Sequence, residues 1–394
     1  MILGLLSFQI KSAEITCRSE LKHAEPISGY KLAWLGVITR HGIRTPMDNW
    51  TPKDVSGTWN CDNTEASAPR MHVSPYNGFR RRFQRVIDPK YAPFSPNCEA
   101  GELTIEGMEM HYELGNFYRK WLVNETQFLP PYFDKDQVSV RSSKVERCLR
   151  SAVSFLNGFY PPAKPGEHIQ IVTGSDYREF LYPAAGGCGD LQKVWDNFTA
   201  TQAFKDRMAR SKALYDNIYK AINLTADDTN WMFIGDWISS YMCSEQEIPL
   251  VQLTEEQTVQ ALKDIAYFSY GFFGTNRAVA ASPIWRHIFA DIDDFIAKKP
   301  SSTKFRLYSA HDTTIAAVLT SLGFTDDKLP PFRSHLDLEL WQKGSKYLFR
   351  VVFNGTPMGV DFMKNENANN YASFKQALAK RGDLKWCLPE YPTN

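Results

Sequence analysis

The 394-residue chain has almost no net charge, with 45 lysines and arginines against 44 aspartates and glutamates. A balance of +1 gives no global field for nucleic acid or for an anionic membrane surface, and neither partner is expected. Long hydrophobic runs are lacking too. The apolar stretch at the start, Ile2 to Phe8, is too short to cross a bilayer, so stable membrane insertion is not expected. Cysteines are few and scattered, at positions 17, 61, 98, 148, 188, 243 and 387, with no CxxC and no close Cys/His pair. That argues against zinc and suits buried thiols or long-range disulfides. The odd count leaves at least one thiol unpaired within the chain. No internal repeat or low-complexity tract is evident.

With 43% hydrophobic and 23% charged residues, the chain can bury one large and one smaller domain. Residues 1–13 read as an abbreviated secretory signal ending near Ala13. Asn124, Asn197, Asn223 and Asn354 stand in N-x-S/T sequons and are candidate glycosylation sites. Together these favour an exported, oxidised glycoprotein, secreted or held in a lysosome- or Golgi-type lumen. The basic run Arg80 to Arg85 reads as a solvated edge, with a site for an anionic substrate or glycan as the alternative.

"KLAWLGVITR" is apolar on both faces and predicts a central strand. Leu103, Gly107, Met110, Leu114, Phe117 and Trp121 recur at helical spacing. Ser143 and Glu146 have the spacing of a capping box before a second helix, and "HIQIVTG" predicts another strand. "TKFRLYSAHDTTIAAVLTSLGF" runs strand to helix, stopped at Gly323, and "DLELWQ" with "YLFRVVFNG" predicts an antiparallel pair. The expected fold is α/β, a central, mostly parallel sheet flanked by helices, with a mainly helical inserted second domain. Residues 30–181 would form the first part of the α/β domain with an excursion at 47–98. Residues 182–300 would form the insertion, and 301–394 the second part.

Three places share one layout. Arg40, His41 and Arg44 follow a strand, Arg141 precedes a helix, and His311 with Asp312 sits between strand and helix. In α/β sheets ligands bind beyond the carboxyl ends of strands, where helix N-termini offer free N–H groups to an anion. Converging there, these residues would cage a dianionic tetrahedral group, because arginine matches phosphate oxygens in a fixed fork. His41 could then attack phosphorus, with Asp312 as proton donor to the leaving oxygen. Bound phosphate would raise the Asp312 pKa and bias activity towards acid.

The sequence resembles the histidine acid phosphatase family, a branch of the histidine phosphatase superfamily. "RHGIRTP" at Arg40 to Pro46 matches RHGxRxP, and "HYELGNFYRKWL", "RSSKVERCLRSAVSFLNGFYPP" and "SAHDTT" match further motifs in family order. The resemblance implies hydrolysis of phosphate monoesters at acidic pH through a phosphohistidine intermediate. It makes His41 the nucleophile, Asp312 the acid, and Arg40, Arg44, Arg141 and His311 the phosphate ligands, with no cofactor and no metal. The substrate would be a small-molecule or glycan phosphomonoester, and the assembly leaves room for a homodimer. By the same resemblance Cys188 and Cys387 form a disulfide. Cys61 and Cys98 resemble the branch that acts on phosphorylated xylose, which makes a phosphorylated-sugar phosphatase one alternative. A phosphoryl-transferring mutase is another, and a non-catalytic phosphate- or carbohydrate-binding protein a third. Ile43 departs from the acidic or small residue common in the family and would make one wall of the pocket entrance apolar.

Overall fold

The computed structural model describes residues 16–47, 59–61, 94–95, 97–163, 168–174, 179–182, 191–223, 230–248, 251–275, 277–300, 302–363 and 368–381. The expected signal segment, the Arg80–Arg85 cluster, Cys188 and Cys387 lie outside them.

The centre of the molecule is a seven-stranded mixed sheet. Strand β1 (Lys31–Arg40) is buried over its last eight positions, as a strand apolar on both faces must be. It lies between β3 (Phe305–Ala310), parallel to it, and β4 (His335–Lys343), antiparallel to it. Strand β2 (Val138–Ser142) extends the parallel half beside β3. On the other side β5 (Lys346–Phe353) pairs with β4 through a hairpin that turns at Gly344, whose φ of +59° glycine tolerates. Two short strands, β6 (Thr356–Pro357) and β7 (Asn369–Asn370), flank β5.

Alternation along β1 sends its side chains into two cores. Leu35 and Val37 face α1 (Ile105–Tyr118) and α2 (Glu146–Phe159). Trp34 and Ile38 face the opposite cluster, which contains α7 (Arg277–Ile296), α8 (Asp312–Ser321) and α9 (Tyr371–Arg381). Helices α1 and α2 cross at two glycines. A Cβ on Gly115 would stand 2.0 Å from the Phe155 carbonyl oxygen, and one on Gly158 2.2 Å from that of Tyr112. Only glycine lets the backbones approach this closely.

Between α2 and α7 come α3 (Leu191–Ala200), α4 (Gln202–Ala221), α5 (Asn230–Cys243) and α6 (Glu255–Thr275). Helices α4 and α5 form a separate core with Trp59, Cys61, Phe94 and Cys98, so both ends of the 47–98 excursion pack on the helical layer. Helix α7 lies within the stretch expected to be insertion, yet Ile284, Trp285, Ile288 and Ile292 pack into the sheet's own core.

Two local expectations fail. "HIQIVTG" makes only a single bridge, Arg141 to Val172; Ile169 and Ile171 pack on the edge of the α1/α2 core while the residue between them stays exposed. Ser143 does not cap α2, whose N-cap is Val145 without a side-chain bond. The Ser143 hydroxyl is instead 2.9 Å from His311 Nε2.

Candidate active site

The parallel pairing aligns three strand ends. Arg40 lies opposite Ala310, and Ser142 opposite Ser309. The backbone N–H groups of His41 and Ser143 continue the ladder, donating to the Ala310 and Ser309 carbonyls at 3.1 and 3.0 Å. The residues after each strand therefore meet at one edge of the sheet.

His41 is 1% exposed. Its Nδ1 lies 2.9 Å from the Gly42 carbonyl oxygen, which can only accept. Nδ1 thus carries the proton, and Nε2 keeps its lone pair. Burial, and then Arg147, Arg44, Arg40 and His311, hold the His41 pKa well below the ordinary 6.5, so the ring is neutral in mild acid. Gly42 makes this placement possible, since a Cβ there would stand 2.2 Å from the Gly107 carbonyl oxygen of α1. From the same helix His111 Nε2–H donates to the Arg40 carbonyl at 3.0 Å and fixes the end of β1.

Arg40 stacks 4.0 Å above the Phe332 ring, donates through Nη1 to the Pro330 carbonyl at 2.5 Å, and pairs through Nη2 with Asp312 Oδ2 at 2.9 Å. Arg44 is held from α5 by Asp236, with Nη2 to Oδ1 at 2.5 Å and Nη1 to Oδ2 at 3.2 Å. Arg147, on α2, donates through Nη2 to His311 Nδ1 at 3.4 Å. That leaves His311 Nε2–H for Ser143, and the His41 and His311 rings stand 5.8 Å apart. Burial and the three arginines depress the His311 pKa well below 6.5. The Nε–H groups of Arg40, Arg44 and Arg147 are all buried and have no partner. Three buried guanidinium donors left open beside a neutral imidazole form a socket for a polyanionic group.

Asp312 opens α8, and its pKa is lowered. Burial pushes it up, but Arg40, Arg44, the Thr313 N–H and Arg147 outweigh burial. This is the direction expected of a free site, before a bound anion cancels part of the positive field.

Arg141 requires a correction. Its guanidinium pairs with the buried carboxylate of Glu179 at 3.2 Å and lies 4.5 Å from the Phe180 ring. Val138, Val140 and Ser142 point towards α1 and α2, so alternation turns Arg141 to the other face. The arginine gathered with His41 and His311 is Arg147. Arg141 acts one step removed: Glu179 also accepts the Gly174 and Leu181 N–H groups, and this short segment sets Tyr182 4.6 Å from His311. Ile43 is also corrected. It is wholly buried against Met110, Cys243 and Phe332 and lines no entrance.

Two disulfides join described cysteines, Cys61–Cys98 and Cys17–Cys243, and Cys148 is a free buried thiol. Burial pushes the Cys148 pKa up to about 11, and its S–H donates to the Ala310 carbonyl beneath His311. Asn124, Asn197 and Asn223 are exposed, whereas the Asn354 amide is bonded to Ser334 and to the His335 N–H. Among the described residues no group of three or more His, Cys, Asp or Glu is arranged to hold a metal, and no helix is long and apolar enough to cross a membrane.

A mixed α/β sheet with histidines and arginines at its parallel strand ends is the architecture of the histidine phosphatases. The chain belongs to the histidine phosphatase superfamily, branch 2, whose sequence model matches residues 31–354. It is 26% identical over 341 residues to counting factor 60 of Dictyostelium discoideum, covering 83% of this chain and 80% of that one. It is also 26% identical to lysophosphatidic acid phosphatase type 6 of Bos taurus, covering 82% of this chain and 78% of that one. The Hafnia alvei phytase in complex with myo-inositol hexakis sulphate superposes with a TM-score of 0.61 at 14% identity, over 92% of this chain and all (100%) of the phytase chain, a likeness of fold.

Proposed function

We propose that this protein hydrolyses phosphate monoesters in acid through a phosphohistidine on His41. The observation that carries this reading is the set of three unpartnered guanidinium Nε–H groups around a neutral, buried His41. The arginines bind the phosphoryl oxygens, and His311 joins them when its Nε2–H turns from Ser143 to the anion. The His41 Nε2 lone pair forms a bond to phosphorus as the bond to the ester oxygen breaks, and Asp312 gives that oxygen its proton. Water then attacks the phosphohistidine and passes a proton to Asp312, and the P–N bond breaks to restore the imidazole. Donors aimed at the transferring oxygens are worth most in a site this buried. Family membership and the relatives' phosphatase names support the same reading.

A depressed His41 pKa keeps the nucleophile unprotonated below pH 6.5, while a bound phosphate dianion raises that of Asp312. Activity on p-nitrophenyl phosphate should therefore peak in acid and fall as pH rises through the Asp312 pKa of the complex. Asp312→Asn should slow alkyl phosphates more than p-nitrophenyl phosphate, whose leaving group needs little protonation. Equal slowing would remove Asp312 from the acid role, and an inactive protein that still binds phosphate would leave a binding module.

The Cys17–Cys243 and Cys61–Cys98 disulfides support an oxidising, secreted or lumenal home, where the exposed asparagines could carry glycans. The Cys61–Cys98 pair resembles the branch that acts on phosphorylated xylose, so phosphorylated sugars belong in the substrate panel beside lysophosphatidate and inositol phosphates.

A further inference from the structure

One charged side chain reaches the cage from the helical layer and takes no part in the proposed reaction. Asp236, Ser240 and Cys243 follow at i, i+4 and i+7 on α5 and share one face of it. That face meets the segment after β1. Besides gripping Arg44 at 2.5 and 3.2 Å, Asp236 accepts the Met47 N–H at 3.2 Å, and Ser240 Oγ lies 3.5 Å from Arg44 Nη1. Cys243 is bonded to Cys17 beside Ile43 and Phe332.

Arg44 Nη1 also donates to the Thr45 carbonyl at 2.9 Å, so both hydrogens of Nη1 and one of the two on Nη2 are committed within the protein. Its Nε–H and the second Nη2–H, which lie on the same edge of the guanidinium, are left for an anion. A carboxylate that grips both outer nitrogens fixes the guanidinium plane and hence the direction of those remaining donors. Without it, a long side chain would have to be ordered each time a phosphate bound.

We propose that Asp236 is a positioning residue that presents the Nε–H and Nη2–H edge of Arg44 to the phosphoryl group, making α5 part of the phosphate site. The inference rests on the phosphatase reading. Asp236 also carries a negative charge near the anion, and that repulsion works the other way. The grip prevails because Arg44 already neutralises Asp236 at contact distance, whereas loss of the fork removes a donor's direction outright.

The test combines calorimetric binding of inorganic phosphate with p-nitrophenyl phosphate kinetics on the full chain. It compares wild type, Asp236→Asn, Asp236→Glu, Arg44→Ala and the Arg44→Ala/Asp236→Asn double variant. Asp236→Asn should raise the phosphate Kd and the KM about tenfold while kcat changes less than about threefold, the pattern of lost uniform binding. In the Arg44→Ala background the same change should add nothing, and Asp236→Glu should recover part of the affinity. Tighter phosphate binding by Asp236→Asn would make Asp236 a screening charge and overturn the proposal. So would a further loss in the double variant, or a lower melting temperature with unchanged phosphate Kd, since either would reduce Asp236 to a brace for α5. A wild type that neither binds phosphate nor hydrolyses the ester would instead remove the phosphatase reading on which the inference stands.

Discussion

Arg141 and Arg147 stand on either side of the turn into α2 and have different work. Arg147 touches His311 and leaves Nε–H open in the cage, whereas Arg141 is spent on Glu179 and Phe180. Removing Arg147 should therefore weaken binding of inorganic phosphate by roughly 100-fold, as loss of a buried charge-assisted donor implies. Arg141→Ala should cost less than about tenfold, acting only through the segment that ends at Tyr182. Calorimetric titration of the two variants separates them, and a larger loss for Arg141→Ala would reverse the assignment. His41, Arg44 and the His311–Asp312 pair were legible because each stands at a change from an apolar run to a polar one. The choice between two nearby arginines was not, since it depends on which face β2 gives to Arg141 and on where α2 begins. The Ser143/Glu146 spacing misled there, because His311 claims the serine. Asp236 was illegible for another reason: nothing in "FIGDWISS" shows that its partner is Arg44.

At the scale of elements, the central strand and the strand–helix unit at "AHD" formed as their patterns required. In β4 the alternation is more misleading. "HLDLELW" reads as a strand with one wet face, yet His335, Asp337 and Glu339 are all buried, on the side covered by Tyr118 of α1. Burial raises the Asp337 pKa well above 3.8, Glu339 adds to the rise, and the Tyr118 hydroxyl and Arg350 oppose it. A raised carboxyl binds its proton more tightly when folded. Its contribution is fully present below 3.8 and is lost as pH climbs towards the folded-state value. The buried, neutral His41, His111, His311 and His335 act in the opposite sense, losing stability as pH falls below 6.5. Comparing wild type with Asp337→Asn isolates the carboxyl. The melting-temperature advantage of wild type should shrink as pH rises from 4.5 to 8, and a constant gap would show that Asp337 does not titrate on unfolding.

At the scale of the whole molecule, the layered α/β fold was legible from its strands and helices, while the division of labour among the later helices was not. Helix α7 packs into the sheet core, whereas α5 sends Asp236 to Arg44 at the sheet edge that carries His41 and is tied by Cys243 to Cys17, across a sequence separation of 226. Contacts of that range leave no mark in local periodicity. Together they join helical layer and sheet around one buried imidazole, and the claim that this imidazole takes the phosphoryl group is the centre of the account. It is tested most directly by mixing the protein with a ³²P-labelled phosphomonoester, quenching within milliseconds and mapping the label after proteolysis under alkaline conditions, where phosphohistidine survives. Acid-labile, base-stable label is expected on the peptide containing His41, and none in His41→Ala, which should also be inactive. Full turnover by His41→Ala, or label on a different residue, would contradict it.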